Sequence, residues 1–393
     1  MTARTEIRHA RVVTPSGVVD DGHVVVAGDR IARVGPTPSR PVSGAETVDA
    51  DGRVLMPGLV DLHGDDIEHH RSPRSGARTD LRTAVTTADR ANLLCGVTTK
   101  YHAVAFEDAP DDGRSLDEAT ALADELATEG YTLGDNRLHA RCELTAGSVE
   151  TVDRVAAEAG VDLLSVMHHA PGDGQYDDGE FERHYVEDRN WPAEAIDEVA
   201  ARRDSLDGAT RSERIDRVLE IARRAGVPVA SHDDDSAASV EEMAERGVTV
   251  SEYPLTLDAA VRAHDLGLAT AVGAPNLVRG GSLWDNLAAS EAIDRGVVDV
   301  LCADYHPPSL LAAPFVETGE SLATRVNRVT RNPADVVGLS DRGRIAVDAR
   351  ADLVLVDPGA TPTADRVFVG GTEVVRTGPE SAESRQPIPP VGS

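Results

Sequence analysis

Lysine is almost missing from this chain. Lys100 is the only one in 393 residues, and every other permanently positive side chain is an arginine. The two basic types together number 39 against 68 Asp and Glu, a formal net charge of -29, with an isoelectric point near 4.7. Nucleic acids and anionic membranes are held by basic faces, so neither is an expected partner. Aromatic residues are scarce too, at 3%. Such a balance is that of a protein kept soluble in concentrated salt, which screens self-repulsion over about 3 Å at 1 M. The composition predicts a halophile's cytoplasmic protein, in which a scattered Asp or Glu means little on its own. Cysteine is limited to Cys95, Cys142 and Cys302, odd in number and far apart, which argues against a disulfide framework. No apolar run approaches membrane length, and the opening "MTARTEIRHA" has no apolar signal core.

What is present is a change of texture along the chain. Residues 6–56 ("EIRHARVVTP", "HVVVAGDRIARVG", "ETVDADGRVLMPG") alternate polar and β-branched residues between Gly/Asp turns, the pattern of a small β unit. After Pro57, candidate strands at 58–63, 97–105, 137–143, 161–169, 227–232, 248–254, 268–274 and 298–304 alternate with helical patterns. "DEATALADELATEG", "ETVDRVAAEAG" and "SERIDRVLEIARRAG" each end in glycine before a short apolar run, the repeating unit of parallel α/β folds. Eight such strands over about 250 residues predict a (β/α)8 barrel of the TIM type. From about residue 342 the β texture returns in "GRIAVDARADLVLVDPG" and "DRVFVGGTEVVR". The expected fold class is therefore α/β. Residues 58–341 form the barrel, inserted into a small discontinuous β-sandwich made of residues 1–57 and 342–378. Residues 171–212, rich in Asp, Glu and Gly, read as a loop insertion, and 379–393 as a disordered tail.

Five of the apolar strands deliver one histidine or carboxylate at their C-terminal ends: His63, Glu143, His169, His232 and Asp304. In a barrel those ends converge on one face. A lone histidine at a strand end is more often a hydrogen-bonded structural residue, but five such ends together reverse that weighting. Imidazole and carboxylate at a barrel mouth suit Zn²⁺, Mn²⁺ or a similar divalent pair. Two metals need a bridge, and Glu143, charged without modification, is preferred to a carbamylated Lys100. Lys100 is then either a substrate contact or a salt-bridged barrel residue. Asp304 is the natural general base, able to take a proton from an attacking water and pass it to the leaving group. Cys142 alternates away from Glu143, and with Cys302 it reads as a small buried apolar residue.

"VLMPGLVDLHGD", the flanking β segments and "LCAD" resemble the amidohydrolase superfamily. A narrower likeness is to the PhnM family of the carbon–phosphorus lyase pathway. It rests on "PGLVDLHGDDIEHHRSPRSG", "RLHARCEL", "HHAPGDGQY", "ASHDD", "GAPNLVRGGS" and "ADYHPPSLL", which span residues 57 to 311. The resemblance implies hydrolysis of α-D-ribose 1-methylphosphonate 5-triphosphate to the 5-phosphate and diphosphate. It makes His63 and Asp65 a first-strand metal pair, H-x-D in place of the superfamily's usual H-x-H. Glu143 takes the bridge, His169 and His232 the second metal, and Asp304 the base. The strand count puts the histidines on the fourth and fifth strands, where the superfamily usually has the fifth and sixth. No Walker-type loop is present, so phosphate binding falls to metals, arginines and backbone N–H groups. Arg279 and Asn276 of "APNLVRGGS" and Arg74 of "SPRSG" are the candidates, with Gly280 and Gly281 allowing close backbone approach. Glu68 and His70 match the same pattern and are expected to shape the substrate end of the pocket, while Asp66 and His69 are read as local or solvated partners.

The implied cofactors are two divalent ions, Zn²⁺ first, then Mn²⁺ or Mg²⁺. The implied partner is a phosphorylated sugar phosphonate, with a homo-oligomer or pathway enzymes as protein partners. A competing reading keeps the fold and the metals but changes the bond: a C–N hydrolase such as a cyclic amidase or nucleobase deaminase. A second one is a non-catalytic scaffold, which an incomplete ligand set would mark; here each expected position is filled.

Overall fold

Val, Ile and Thr lose little in an extended backbone, and the short runs rich in them are strands in the structure, a computed structural model. It describes residues 4–74, 76–109, 114–145, 147–168, 207–283 and 286–377. His169, most of the 171–212 insertion and the 379–393 tail lie outside the described residues. Five strands come first: β1 (Arg4–Thr14), β2 (Gly17–Ala27), β3 (Arg30–Pro36), β4 (Glu46–Asp49) and β5 (Val54–Pro57). Next are β6 (Leu59–Gly64), β7 (Val97–Phe106), β8 (Asp135–Glu143) and β9 (Leu163–Met167). They are followed by β10 (Val229–His232), β11 (Val250–Glu252), β12 (Ala269–Gly273) and β13 (Val300–Cys302). β14 (Leu353–Asp357), β15 (Thr363–Val369) and β16 (Thr372–Arg376) come last.

β6 to β13 pair in chain order, each parallel to the next. Gly64 and Asp304 form a parallel bridge between the first and last of them. There the Asp304 amide donates to His63 O at 2.8 Å and the Asp65 amide to Asp304 O at 3.2 Å. The ring is thus an eight-stranded parallel barrel, as the pattern predicts, with its seam at three of the expected site residues. Val60, Leu62, Tyr101, Leu163, Val250 and Val300 fill it. Val104, Phe106, Leu138, Leu164, Val218 and Ile221 pack in the layer between strands and helices. Each large apolar side chain so buried contributes about 1.5–3 kcal/mol.

Helix boundaries follow local chemistry. Helix Leu81–Leu94 starts where Asp80 accepts from Thr83 N, and helix Leu116–Leu126 where Ser115 accepts from Glu118 N. Helix Gly208–Ala225 begins inside the stretch expected to be loop, because the Asp207 carboxylate accepts from Thr210 N at 2.8 Å. Such a cap is worth about 1 kcal/mol. That helix stops at Gly226, whose φ of 72° suits glycine.

The chain ends build one sheet in the order β16-β15-β14-β5-β1-β2-β3, with β4 alongside β1. β14 runs antiparallel to β5, pairing Leu353 with Pro57 and Val356 with Val54, so both termini share the sheet and the barrel lies between them in sequence. This is the small discontinuous β domain that was expected, its strands hydrogen-bonded in one continuous order whose distant parts meet. Ile31 N donates to Ala349 O at 2.9 Å, Ala351 N to Asp29 O at 2.8 Å and Gly371 N to Ala351 O at 2.9 Å. The sheet therefore curls around its own core of Ile7, Val24, Ile31, Leu353 and Phe368. Its outer side, through Val354, Val356 and Val367, joins the cluster that includes Leu93 and Val97 of the barrel layer.

Candidate active site

Burial and backbone geometry single out the C-terminal ends of the barrel strands. Asp233, Tyr253 and Asp304, just beyond β10, β11 and β13, have φ of 59°, 55° and 56°. Residues other than glycine adopt such values only where surroundings enforce them, and these cluster at functional sites. Here they lie on the face where His63, Glu143 and His232 end their strands.

His63 is buried, with Nδ1 2.7 Å from Glu252 Oε1. His232 places Nδ1 2.9 Å from Glu252 Oε2. Asp65 carries a buried Oδ1 with no hydrogen-bond partner in the protein. Glu143 is fully buried, and His168 Nδ1 lies 3.5 Å from its Oε1. His168 and His232 share a recess with Leu144, Ser231 and Asp233. The structure thus brings His63, Asp65, His232 and Asp304 to one mouth, with Glu143 beside His168; the expected neighbour His169 lies outside the described residues.

Four residues of this mouth were not singled out from sequence. Glu252 ends β11, but the expected strand ran on to residue 254 and hid it inside. His139 and Arg141 precede Glu143 at period two and so face the same way, a signal that was available. Tyr253 sets its ring edge-on to His63 at 5.0 Å and to His232 at 5.5 Å between centroids, and its hydroxyl is buried without a partner.

The electrostatics separate these groups. Burial, reinforced by the charge of Asp65, pushes the Asp304 carboxyl up to about 7. Burial pushes His139 down to about 3, so it is a neutral imidazole. Burial also opposes the charged form of His63, but the adjoining Glu252 carboxylate outweighs it and raises the imidazole. Glu252 is the converse: burial acts upward, and the charge of His63 with the hydrogen bonds from His232 and His63 overcomes it and holds the carboxyl well below its usual range.

The remaining candidates are scattered. Arg279 is exposed and near the mouth, with Nη1 donating to the hydroxyl of Tyr305, the neighbour of Asp304, at 2.9 Å, and Nη2 to Gly281 O at 2.7 Å. Asn276 uses both ends of its amide on the main chain, donating to Leu287 O and accepting from Ala289 N, each at 3.0 Å. Those contacts fasten the chain around Leu287–Ala289. Arg74 is exposed beside a tight bridge to Ala77. His70 is half-buried, 3.8 Å from Asp66, and Glu68 pairs with Arg114 at 2.8 Å. Lys100 lies behind β6, its Nζ 2.7 Å from both Asp61 and Asp66. Of its two readings, these contacts are those of the salt-bridged barrel residue. The fit is close enough that a Cβ on Gly64 would lie 1.8 Å from Lys100 Nζ.

Donor chemistry at the mouth fits a divalent ion. His63, His139 and Glu252 gather nitrogen and carboxylate oxygen atoms within 4.8 Å of one another, a buried polar cluster in the mouth. Asp65 and Asp304 add carboxylates whose mutual repulsion a cation would relieve. Imidazole nitrogen with carboxylate oxygen is the ligand mixture that zinc and manganese accept.

A closed parallel barrel with histidines and carboxylates gathered at its strand ends defines a metal-dependent hydrolase of the barrel type. The sequence model of the amidohydrolase family matches residues 189–378. The chain is 33% identical over 320 residues to the alpha-D-ribose 1-methylphosphonate 5-triphosphate diphosphatase of Escherichia coli (strain K12), covering 79% of this chain and 85% of that one. It is 25% identical over 414 residues to the dihydroorotase of Pelotomaculum thermopropionicum, covering 91% and 90%. The solved structure of a putative prolidase from Bifidobacterium longum superposes with a TM-score of 0.64 at 19% identity, over 98% of this chain and 97% of that one, which shows the shared fold. This protein belongs to the amidohydrolase family, and it is a hydrolytic enzyme.

Proposed function

We propose that this enzyme hydrolyses a phosphoanhydride of α-D-ribose 1-methylphosphonate 5-triphosphate, giving the 5-phosphate and diphosphate. The observation that carries the reading is the 33% identity, sustained over 79% of the chain, to a diphosphatase of that substrate. The proposed ligands are His63, Asp65, Glu143, His169, His232 and Asp304. Bound there, one or two divalent ions, Zn²⁺ before Mn²⁺ or Mg²⁺, would offset charge on phosphoryl oxygens and make water acidic enough to attack at neutral pH. Release of diphosphate in one step requires attack at the phosphorus nearest the ribose. Asp304 takes the proton of that water and returns it to the leaving diphosphate, a task suited to a carboxyl raised to about 7. Arg279, held next to Asp304 through Tyr305, binds the polyphosphate, and Arg74 and His70 lie toward the far end of the substrate.

No described helix is long and apolar enough to cross a membrane, and we place the enzyme in the cytosol of a salt-adapted cell. The alternative, C–N bond hydrolysis, is favoured by the likeness to dihydroorotase over 91% of the chain. A panel of the ribose triphosphate, nucleoside triphosphates, hydantoin, dihydroorotate and adenine separates the two. Diphosphate release from the ribose triphosphate is the expected result; ring opening or deamination without it would overturn the proposal.

A further inference from the structure

Glu252 touches both described histidines of the proposed metal set. Its Oε1 faces His63 Nδ1 at 2.7 Å and its Oε2 faces His232 Nδ1 at 2.9 Å. The two imidazoles come from β6 and β10, which are not neighbours in the barrel. Yet their planes are 13° apart, with centroids separated by 5.5 Å. An ionised carboxylate can only accept, so each nitrogen facing it carries the proton. In the neutral ring each is thereby held as the Nδ1–H tautomer, with the lone pair on Nε2, which in His232 lies 3.6 Å from Asp233 Oδ2. Ligating histidines commonly pass their second ring N–H to a carboxylate, which sets ring orientation and raises ligand basicity.

His139 shows why Glu252 belongs to this supporting layer. His139 Nδ1 is 2.9 Å from Leu62 O and its Nε2 meets Ser165 Oγ, so both nitrogens are engaged by the protein. Ser165 Oγ also lies 2.9 Å from Glu252 Oε2. Main chain, His139, Ser165 and Glu252 form a continuous polar seat beneath the two rings. We infer that Glu252 is a positioning residue: it holds His63 and His232 as a parallel pair presenting Nε2 to the mouth and is not itself a metal ligand. The inference rests on the metal site of the proposed function and adds the group that orients it.

Two measurements test it without substrate. In the metal-free wild-type protein, nitrogen-15 NMR of the imidazoles, assigned with His63→Asn and His232→Asn and followed to a pH where both rings are neutral, should show both as Nδ1–H tautomers. Either ring in the Nε2–H form overturns the clamp, whether or not any variant folds. Titration with Zn²⁺ or Co²⁺ should then show Glu252→Gln binding 10–100-fold more weakly, the usual cost of losing such a partner. The Co²⁺ absorption spectrum of the loaded variant should keep its coordination number. Unchanged affinity in Glu252→Gln, or a Co²⁺ spectrum that has lost an oxygen ligand, overturns the inference. If the wild type takes up no divalent ion, the metal reading of the function fails, and the tautomers still decide for or against the clamp.

Discussion

Two buried acid clusters stand on either side of β6, drawn from residues that almost touch in sequence. Behind the strand, Asp61 and Asp66 share Lys100, at 2.7 Å each, and Asp66 also accepts from Asn92 at 2.8 Å. In the mouth, Asp65 and Asp304 face each other's charge with a buried oxygen of Asp65 unpartnered. Their protons answer oppositely. Burial works to raise Asp66, but Lys100 outweighs it and holds the carboxyl below its usual range. Burial and Asp65 together push Asp304 up to about 7. The chain's single lysine is spent on completing the first cluster, and the second is left for a cation from outside. Acidic composition alone cannot distinguish these two; their partners do.

The largest expected effect comes from Asp304→Asn. Asparagine tolerates the left-handed backbone at this position, with its φ of 56°, so the exchange removes a charge and little else. We expect turnover to fall about 10³-fold, within the usual range for a general base, with metal content measured by elemental analysis nearly intact. Normal turnover would remove Asp304 from the mechanism. The same variant should be more stable than wild type when both are metal-free at pH 8. A carboxyl raised from 3.8 to about 7 costs nothing below pH 3.8 and its full penalty above about 7. Denaturant titration at pH 5 and 8 reads this slope, which the variant should lack.

Lys100→Met should move stability in the other direction. It leaves Asp61 and Asp66 buried without their cation, a loss of about 3–5 kcal/mol. In wild type, the depressed Asp66 contributes stability above its unfolded value of 3.8, lost only as pH falls through the lower folded value. Lys100 is raised, so its contribution is complete below 10.5 and disappears at higher pH. In the variant the orphaned carboxyls rise, so the deficit is greatest near pH 7.5 and shrinks at pH 5, where protonation neutralises them. A deficit independent of pH, or one accompanied by loss of metal stoichiometry, would merge the two clusters that the comparison separates.

The barrel was legible because its signal is repeated: eight apolar runs after helical patterns set strand number and order before any contact is known. The ring closes with those eight strands in chain order. Candidate site positions were legible for the same reason, since His63, Glu143 and His232 occupy the last or next-to-last residue of their strands. Glu252 was not, because a strand of three residues, Val250–Glu252, ends before its apolar texture does. Asn276 shows the opposite case. Its motif is distinctive, but its amide is used to pin Leu287 and Ala289, and motif membership does not report which side of a helix meets a ligand. The curl of the sheet was out of reach, since the hydrogen bonds from Ile31 N to Ala349 O and from Ala351 N to Asp29 O join segments separated by most of the chain.

Smaller effects sharpen the comparison at the rim. The net charge of -29 repels a polyphosphate, so kcat/KM should climb several-fold between about 0.05 and 1 M salt as screening shortens. A maximum in dilute buffer would contradict this. The smallest effects separate two arginines offered for the same task. Arg279 is held by the Tyr305 hydroxyl and Gly281 O, whereas Arg74 is exposed beside its turn. Losing one charge-assisted hydrogen bond costs about 1.5 kcal/mol, roughly tenfold in affinity. Arg279→Ala should therefore raise KM about tenfold with kcat nearly constant, while Arg74→Ala should change KM by less than about twofold. Equal effects would mean that general positive charge at the mouth binds the substrate, and that the held geometry of Arg279 contributes nothing of its own.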